Sequence, residues 1–333
     1  MDAMKSQVFN VTAGWILALA FAMGCGLTGT AHAATAYVSN ERSSTITVID
    51  LDTQEVIDTW NVGERPRGVT LTRDGKYLLI CASLDNAVEI RDAKTGVLVA
   101  VLPSGNDPEQ FFTSYDGKLL FIANEDDAAT TAVDLTTRKV AWQVEVGEEP
   151  EGIAQSPDGK WLLVTSEEDH TVAWIDVATQ QVVEEMETDY RPRHVEFAPG
   201  GKQVWIAAEV AGTVHIVDVA TRSIIETLSF PMPGVPAYKV MPCGIRFTSD
   251  GQTAIIALGR ANGVAVVDVA TRKVTGYVET GGRPWHLEIT PDDKTAVVAN
   301  GTSGDVAFLD LASMAVTKRI EAGAGPWGVA ILP

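Results

Sequence analysis

Apolar residues come in short runs separated by turn residues, and the spacing of the runs repeats. Between 110 and 146, one run at 110–114 leads to the turn pair Asp116-Gly117, a hairpin signal. A second run, 119–123, is continuously apolar, which predicts a strand buried on both faces. A loop at Glu125-Asp126-Asp127, a run at 130–133, a turn at Thr136-Thr137-Arg138 and a run at 140–146 complete the unit. Each unit therefore predicts four short strands.

The unit recurs. A proline opens each copy, at Pro66, Pro108, Pro150, Pro192, Pro242, Pro284 and Pro326, in steps of 42 residues except for one of 50. Asp50, Asp92, Asp134, Asp176, Asp218, Asp268 and Asp310 each end an apolar run and have Thr or Ser three residues later. Such pairs predict turns in which both side chains bond local backbone, not a set of active sites. Seven copies at one period predict a repeat architecture. The first strand signal, at 35–40, is in register with the second strand of a unit, and the last, at 328–332, with a first strand. Three strands from one end and one from the other would complete a shared unit and close a ring, leaving few edges. The expectation is a single all-β domain over 34–333, a seven-bladed β-propeller of four-stranded antiparallel blades. The eight extra residues of the long step fall at 229–240, where three prolines and a glycine predict an inserted loop. Insertions of this kind map to loops, often on the binding face.

Lys5, an apolar run from 11 to 27 and Ala31-His32-Ala33 predict a secretory signal peptide over 1–33, hence an exported, periplasmic protein. Gly24, Gly26 and Gly29 interrupt the run and argue against an anchor, so no membrane span is expected in the mature chain. Cys25 leaves lipidation open. The net charge of −19 disfavours nucleic acid and anionic membrane as partners and suits a cationic one. Cys81 stands where other copies have Ser39, Ala123, Thr165, Ala207, Ala257 and Ala299. It reads as a small buried hydrophobe, and no bridge to Cys243 is expected.

Tyr37-Val38-Ser39-Asn40, with degenerate copies Phe121-Ile122-Ala123-Asn124 and Val297-Val298-Ala299-Asn300, resembles the YVTN-repeat propellers over the whole chain after residue 33. A narrower resemblance is to exported propellers that accompany pyrroloquinoline-quinone (PQQ)-dependent alcohol catabolism in bacteria. It rests on 37–41, Arg65-Pro66-Arg67-Gly68, Asn124-Glu125-Asp126-Asp127, Glu149-Pro150-Glu151-Gly152, Arg191-Pro192-Arg193 and Gly244-Ile245-Arg246-Phe247-Thr248. The resemblance implies a periplasmic accessory role and brings no catalytic residues with it.

There is no Cys-x-x-Cys-His for a covalent haem, no His-Glu-x-x-His and no phosphate loop. Candidate chemistry lies instead in what varies between copies. The residue after each proline is Arg67, Glu109, Glu151, Arg193, Cys243, Trp285 or Trp327, and the next is Gly68, Gln110, Gly152, His194, Gly244, His286 or Gly328. These positions should converge on one mouth of a central channel. Glu125, Asp126, Asp127, Glu167, Glu168 and Asp169, with Asp107, Glu148 and Glu149, should join Glu109 and Glu151 in an acidic arc over two neighbouring blades. Arg65, Arg67, Arg191, Arg193 and Arg283 should lie elsewhere, and the arc would otherwise be a solvated face. His194 and His286 lack a defined third ligand, so no metal is expected. Trp285 and Trp327 read as packing residues before a ligand platform.

The leading expectation is a non-enzymatic scaffold or binding propeller serving PQQ-dependent alcohol oxidation, with no covalent cofactor. Its partner would be a basic cytochrome c or a quinoprotein dehydrogenase docking on the arc. A first rival is a binder of PQQ or another anion, held by Arg67, Arg193, Arg283, His194 and His286. A second is a propeller hydrolase of lactonase type, for which no spacing singles out a catalytic residue.

Overall fold

A computed structural model describes residues 34–333; the expected signal peptide lies outside the described residues. Seven four-stranded antiparallel sheets form seven blades. Blades 1 to 6 run 66–103, 108–145, 150–187, 192–229, 245–279 and 284–321. Blade 7 joins Pro326–Leu332 to Thr35–Asn40, Thr45–Asp50 and Glu55–Asn61. In that blade Thr35 pairs with Leu332 and Val38 with Val329, so the ring closes on the two ends as expected. Each blade's first strand is innermost and touches the first strands of both neighbours.

The run pattern explains the layering. Second and third strands are buried along nearly their whole length, as in Leu119–Asn124 and Ala129–Asp134. Outer strands such as Glu55–Asn61 bury one residue, Trp60. The core is not central but divided among the blade interfaces. One cluster joins Trp205 and Ile216 of blade 4 to Ile245 and Ile256 of blade 5, and six others join the remaining neighbouring pairs. Burying each large aliphatic side chain this way stabilises the ring by about 1.5–3 kcal/mol.

The turn expectation is met for the aspartates in all seven copies: the Asp Oδ1 accepts the backbone N–H of the Thr or Ser three residues on. The Thr or Ser hydroxyl, expected on backbone, instead donates to that same carboxylate at Asp50, Asp92, Asp218, Asp268 and Asp310. Cys81 and Cys243 are buried and unbridged, in the interfaces of blades 1–2 and 5–6. The inserted loop anchors Phe230 and Val240 in the blade 4–5 cluster. It leaves blade 5 with a short inner strand, Ile245–Phe247.

Candidate functional site

The Pro loops and the ends of the second strands meet at one end of the channel, and there the structure corrects the sequence reading. The expected acidic arc and the arginines are interleaved, not separate. Arg193 Nη2 lies 3.1 Å from Glu151 Oε1, and its Nη1 lies 3.0 Å from Glu167 and 3.3 Å from Glu209. Arg67 pairs with Glu109 and, at 3.4 Å, with Glu41. Arg65 holds Asp107 at 2.8 Å, Arg191 holds Glu167, and Arg283 reaches Glu209 at 3.1 Å. Glu109, Glu151, Glu167 and Glu209 are at most 2% exposed. This end is a buried ion-pair plug.

The plug governs its own protonation. Burial works against the charge on Arg193, but Glu151, Glu167 and Glu209 hold it well above the ordinary arginine range. Burial pushes Glu167 up to about 8, against the pull of Arg193 and Arg191. Burial likewise raises Glu109 well above its usual range, with Arg67 opposing. Trp285 stacks under Arg193 and Arg283, whose guanidinium carbons lie 4.8 and 4.1 Å from its ring centre. Trp327 is buried beneath Arg67. Both tryptophans therefore brace the plug. The anion pocket expected from Arg67, Arg193 and Arg283 does not form, because these guanidinium groups are already engaged by carboxylates.

Of the expected arc, Asp126, Glu148, Glu168 and Asp169 remain exposed, while Glu125, Asp127 and Glu149 are half-buried. Two pin the Pro loop of their own blade: Asp127 accepts the N–H of Asn106, and Asp169 that of Glu148.

One layer further in, glycine alternates with a large residue round most of the channel. A Cβ on Gly152 would lie 2.8 Å from the Arg193 carbonyl oxygen and 2.9 Å from His194 Cα. On Gly244 it would lie 2.9 Å from His286 Cα. Each glycine thus admits the backbone of the next inner strand, whose large residue fills the channel. Gln110, His194 and His286 are the fillers. Gln110 Nε2 donates to the Arg193 carbonyl at 3.4 Å, and the histidine rings meet edge to face at 5.3 Å. His286 also packs on Trp327 at 4.2 Å.

Below this layer a cavity of about 880 Å³ reaches the opposite face, where the Asp-Gly turns lie. Gln110, His194, His286 and Trp327 line its inner end, and Arg73, Asp74, Gly75 and Ser249 its outer rim. The strand period carries the charged residues: two positions after the fillers come Phe112, Glu196 and Glu288, and two after Gly244 comes Arg246. Arg246 is clamped at 2.9 Å by both Glu196 and Glu288. Its Nη1 lies 3.3 Å from His194 Nε2, which is 3.7 Å from Glu196 Oε2. Burial holds both histidines below their usual range, His286 strongly. They are neutral at pH 7. Arg73 has no acidic partner among the described residues; it donates to the Thr113 and Ser114 carbonyls and stacks on Phe112 and Tyr115.

Of the residues expected at the mouth, Gly68, Gln110, His194, His286, Trp327 and Gly328 line this cavity, and the charged ones do not. Arg246, Glu196, Glu288 and Arg73 were not singled out. Their signal is charge on the far side from the Pro loops: Glu196, Arg246 and Glu288 at inner-strand positions, and Arg73 in the turn that follows an inner strand.

Comparison with known proteins agrees with this architecture. The family described as "Lactonase, 7-bladed beta-propeller" matches residues 176–326. No curated protein sequence matches the chain significantly. A putative 6-phosphogluconolactonase from Bacteroides fragilis superposes with a TM-score of 0.78 at 19% identity, covering 92% of this chain and 99% of that one. A second, from Bacteroides uniformis, gives 0.75 at 17%, covering 90% and 100%. Kuenenia stuttgartiensis hydrazine synthase gives 0.71 at 21%, covering 80% and 89%. The chain is a seven-bladed β-propeller with a lactonase-family match over its second half. At these identities the structural likeness speaks for the fold alone.

Proposed function

We propose that the chain is a small-molecule hydrolase of lactonase type, opening a cyclic ester in the cavity on the Asp-Gly-turn face. The observation that carries this reading is the His194–Arg246–Glu196 cluster at the inner end of that cavity, with Arg246 clamped in place. Preorganised donors and bases in a concave pocket are what acyl transfer needs. Glu196, partly exposed, takes a proton from a water that attacks the ring carbonyl. Arg246 donates to the carbonyl oxygen as negative charge develops there. Neutral His194 stands close enough to pass the proton toward the leaving ring oxygen, giving a hydroxy acid. The lactonase-family match over residues 176–326 supports the reaction class. Base uptake in a pH-stat over a panel of five- and six-membered lactones tests the reading, and absence of turnover across the panel ends it.

A second reading keeps the accessory role in PQQ-dependent alcohol oxidation. It is supported by the exposed carboxylates Asp126, Glu148, Glu168 and Asp169 on neighbouring loops of blades 2 and 3, a surface suited to a cationic periplasmic protein. Its association rate with a basic cytochrome c would fall steeply between low salt and about 0.15 M; a salt-independent rate ends this reading.

A further inference from the structure

Glu125, Glu167 and Glu209 occupy the same place after the second strands of blades 2, 3 and 4. Glu167 is met by Arg191 and Arg193, and Glu209 by Arg191, Arg193 and Arg283. Glu125 alone of the three has no arginine among the described residues. Instead it faces Glu109: Glu125 Oε2 and Glu109 Oε1 are both shielded from solvent, and neither has a hydrogen-bond donor. Glu109 is 0% exposed; Arg67 pairs with its Oε2, while its Oε1 has only Arg65 Nη2 at 3.5 Å as an ion-pair contact. Asp107 completes the group, with one carboxylate oxygen from each of the three residues within 4.8 Å of the others. Shielded carboxylate oxygens brought this close without a donor repel one another, and a cation held between them would relieve that repulsion.

We propose that Asp107, Glu109 and Glu125 bind a divalent cation, calcium being the ion of choice. The donor set is all oxygen and all carboxylate, which selects hard ions over zinc or copper. Asp107 and Glu125 are half-buried, so the ion enters from the Pro-loop face and completes its shell with water. Calcium tolerates such an irregular, partly hydrated shell better than magnesium does. The ion does in blade 2 what the arginines of blade 4 do for Glu167. Arg65, already on Asp107, competes with it and limits the affinity. The site is separate from the cavity proposed for hydrolysis.

The test is calorimetric titration of calcium chloride into chelator-stripped protein, with thermal unfolding at matched ionic strength. One ion per chain with a raised melting temperature is expected. Glu125→Gln and Asp107→Asn should each weaken binding at least tenfold, while Glu55→Gln on an outer strand leaves it unchanged. Neither heat nor a melting shift with calcium, magnesium or manganese would overturn the site. So would wild-type affinity in Glu125→Gln. If Glu125→Gln raises the melting temperature of a protein indifferent to all three ions, the two carboxyls share a proton and the proposal fails.

Discussion

Arg193 Nη2 lies 3.1 Å from Glu151 Oε1, and the two residues stand 42 positions, one repeat, apart. The same offset joins Arg65 to Asp107, Arg67 to Glu109 and Arg246 to Glu288. Equivalent residues of neighbouring inner strands sit side by side at one height in the ring. Opposite charges exchanged at the repeat period are therefore contacts between blades.

Arg193→Met would take the shared cation from Glu151, Glu167 and Glu209, which are at most 2% exposed, leaving Arg67, Arg191 and Arg283 to hold them. Breaking a buried ion pair from one side typically costs about 3–5 kcal/mol. A denaturant titration should show a loss of that order. Lys118→Ala, which breaks an exposed pair with Asp116, should leave the midpoint unchanged. Equal midpoints for both variants would contradict the plug.

The fold was legible because the proline series, the Asp-x-x-Thr turns and the split unit at 35–40 and 328–332 are all local signals repeated in phase. The site was legible only in part. His194, His286 and Trp327 were found because they vary at a fixed position. The partners of Arg67 and Arg193 were missed because charges were read along each loop, when pairing runs across it at the repeat offset. Arg246 was masked by the insertion, which places Glu196 50 residues before it and Glu288 42 after it.

Gly152→Ala brings a methyl carbon to 2.8 Å from a backbone oxygen, so the inner strands of blades 3 and 4 must part. Overpacking of this kind costs about 1–3 kcal/mol. Gly276, on an outer strand, has nothing within 4 Å of the position a Cβ would take, and its replacement by Ala should be tolerated. Thermal unfolding of the two variants should separate them clearly; equal melting temperatures would refute the close-approach account.

Glu167 is raised from about 4.5 to about 8, so the folded state holds its proton more tightly than the unfolded chain. The stability this contributes is fully present below about pH 4.5 and is lost as pH rises through about 8. His194 and His286 act in the opposite sense. Buried neutral, they contribute stability above their ordinary value of 6.5 that is lost as pH falls through their depressed range. Glu167→Gln removes the carboxyl's contribution and leaves the histidines'. Its melting temperature should therefore decline less than the wild type's between about pH 5 and 8. Parallel curves would show that Glu167 does not titrate in that window.

The central claim is that chemistry occurs at the cavity on the Asp-Gly-turn face and not at the plugged Pro-loop end. The direct measurement is the pH-stat rate for the best lactone of the panel, compared among wild type, Arg246→Gln, Glu196→Gln and the outer-strand variant Glu55→Gln. Loss of one oxyanion donor or one general base typically lowers the rate about 10²–10³-fold. Both cavity variants should fall by at least that lower figure while melting as folded proteins, and Glu55→Gln should match wild type. Wild-type turnover in folded Arg246→Gln and Glu196→Gln would contradict the account.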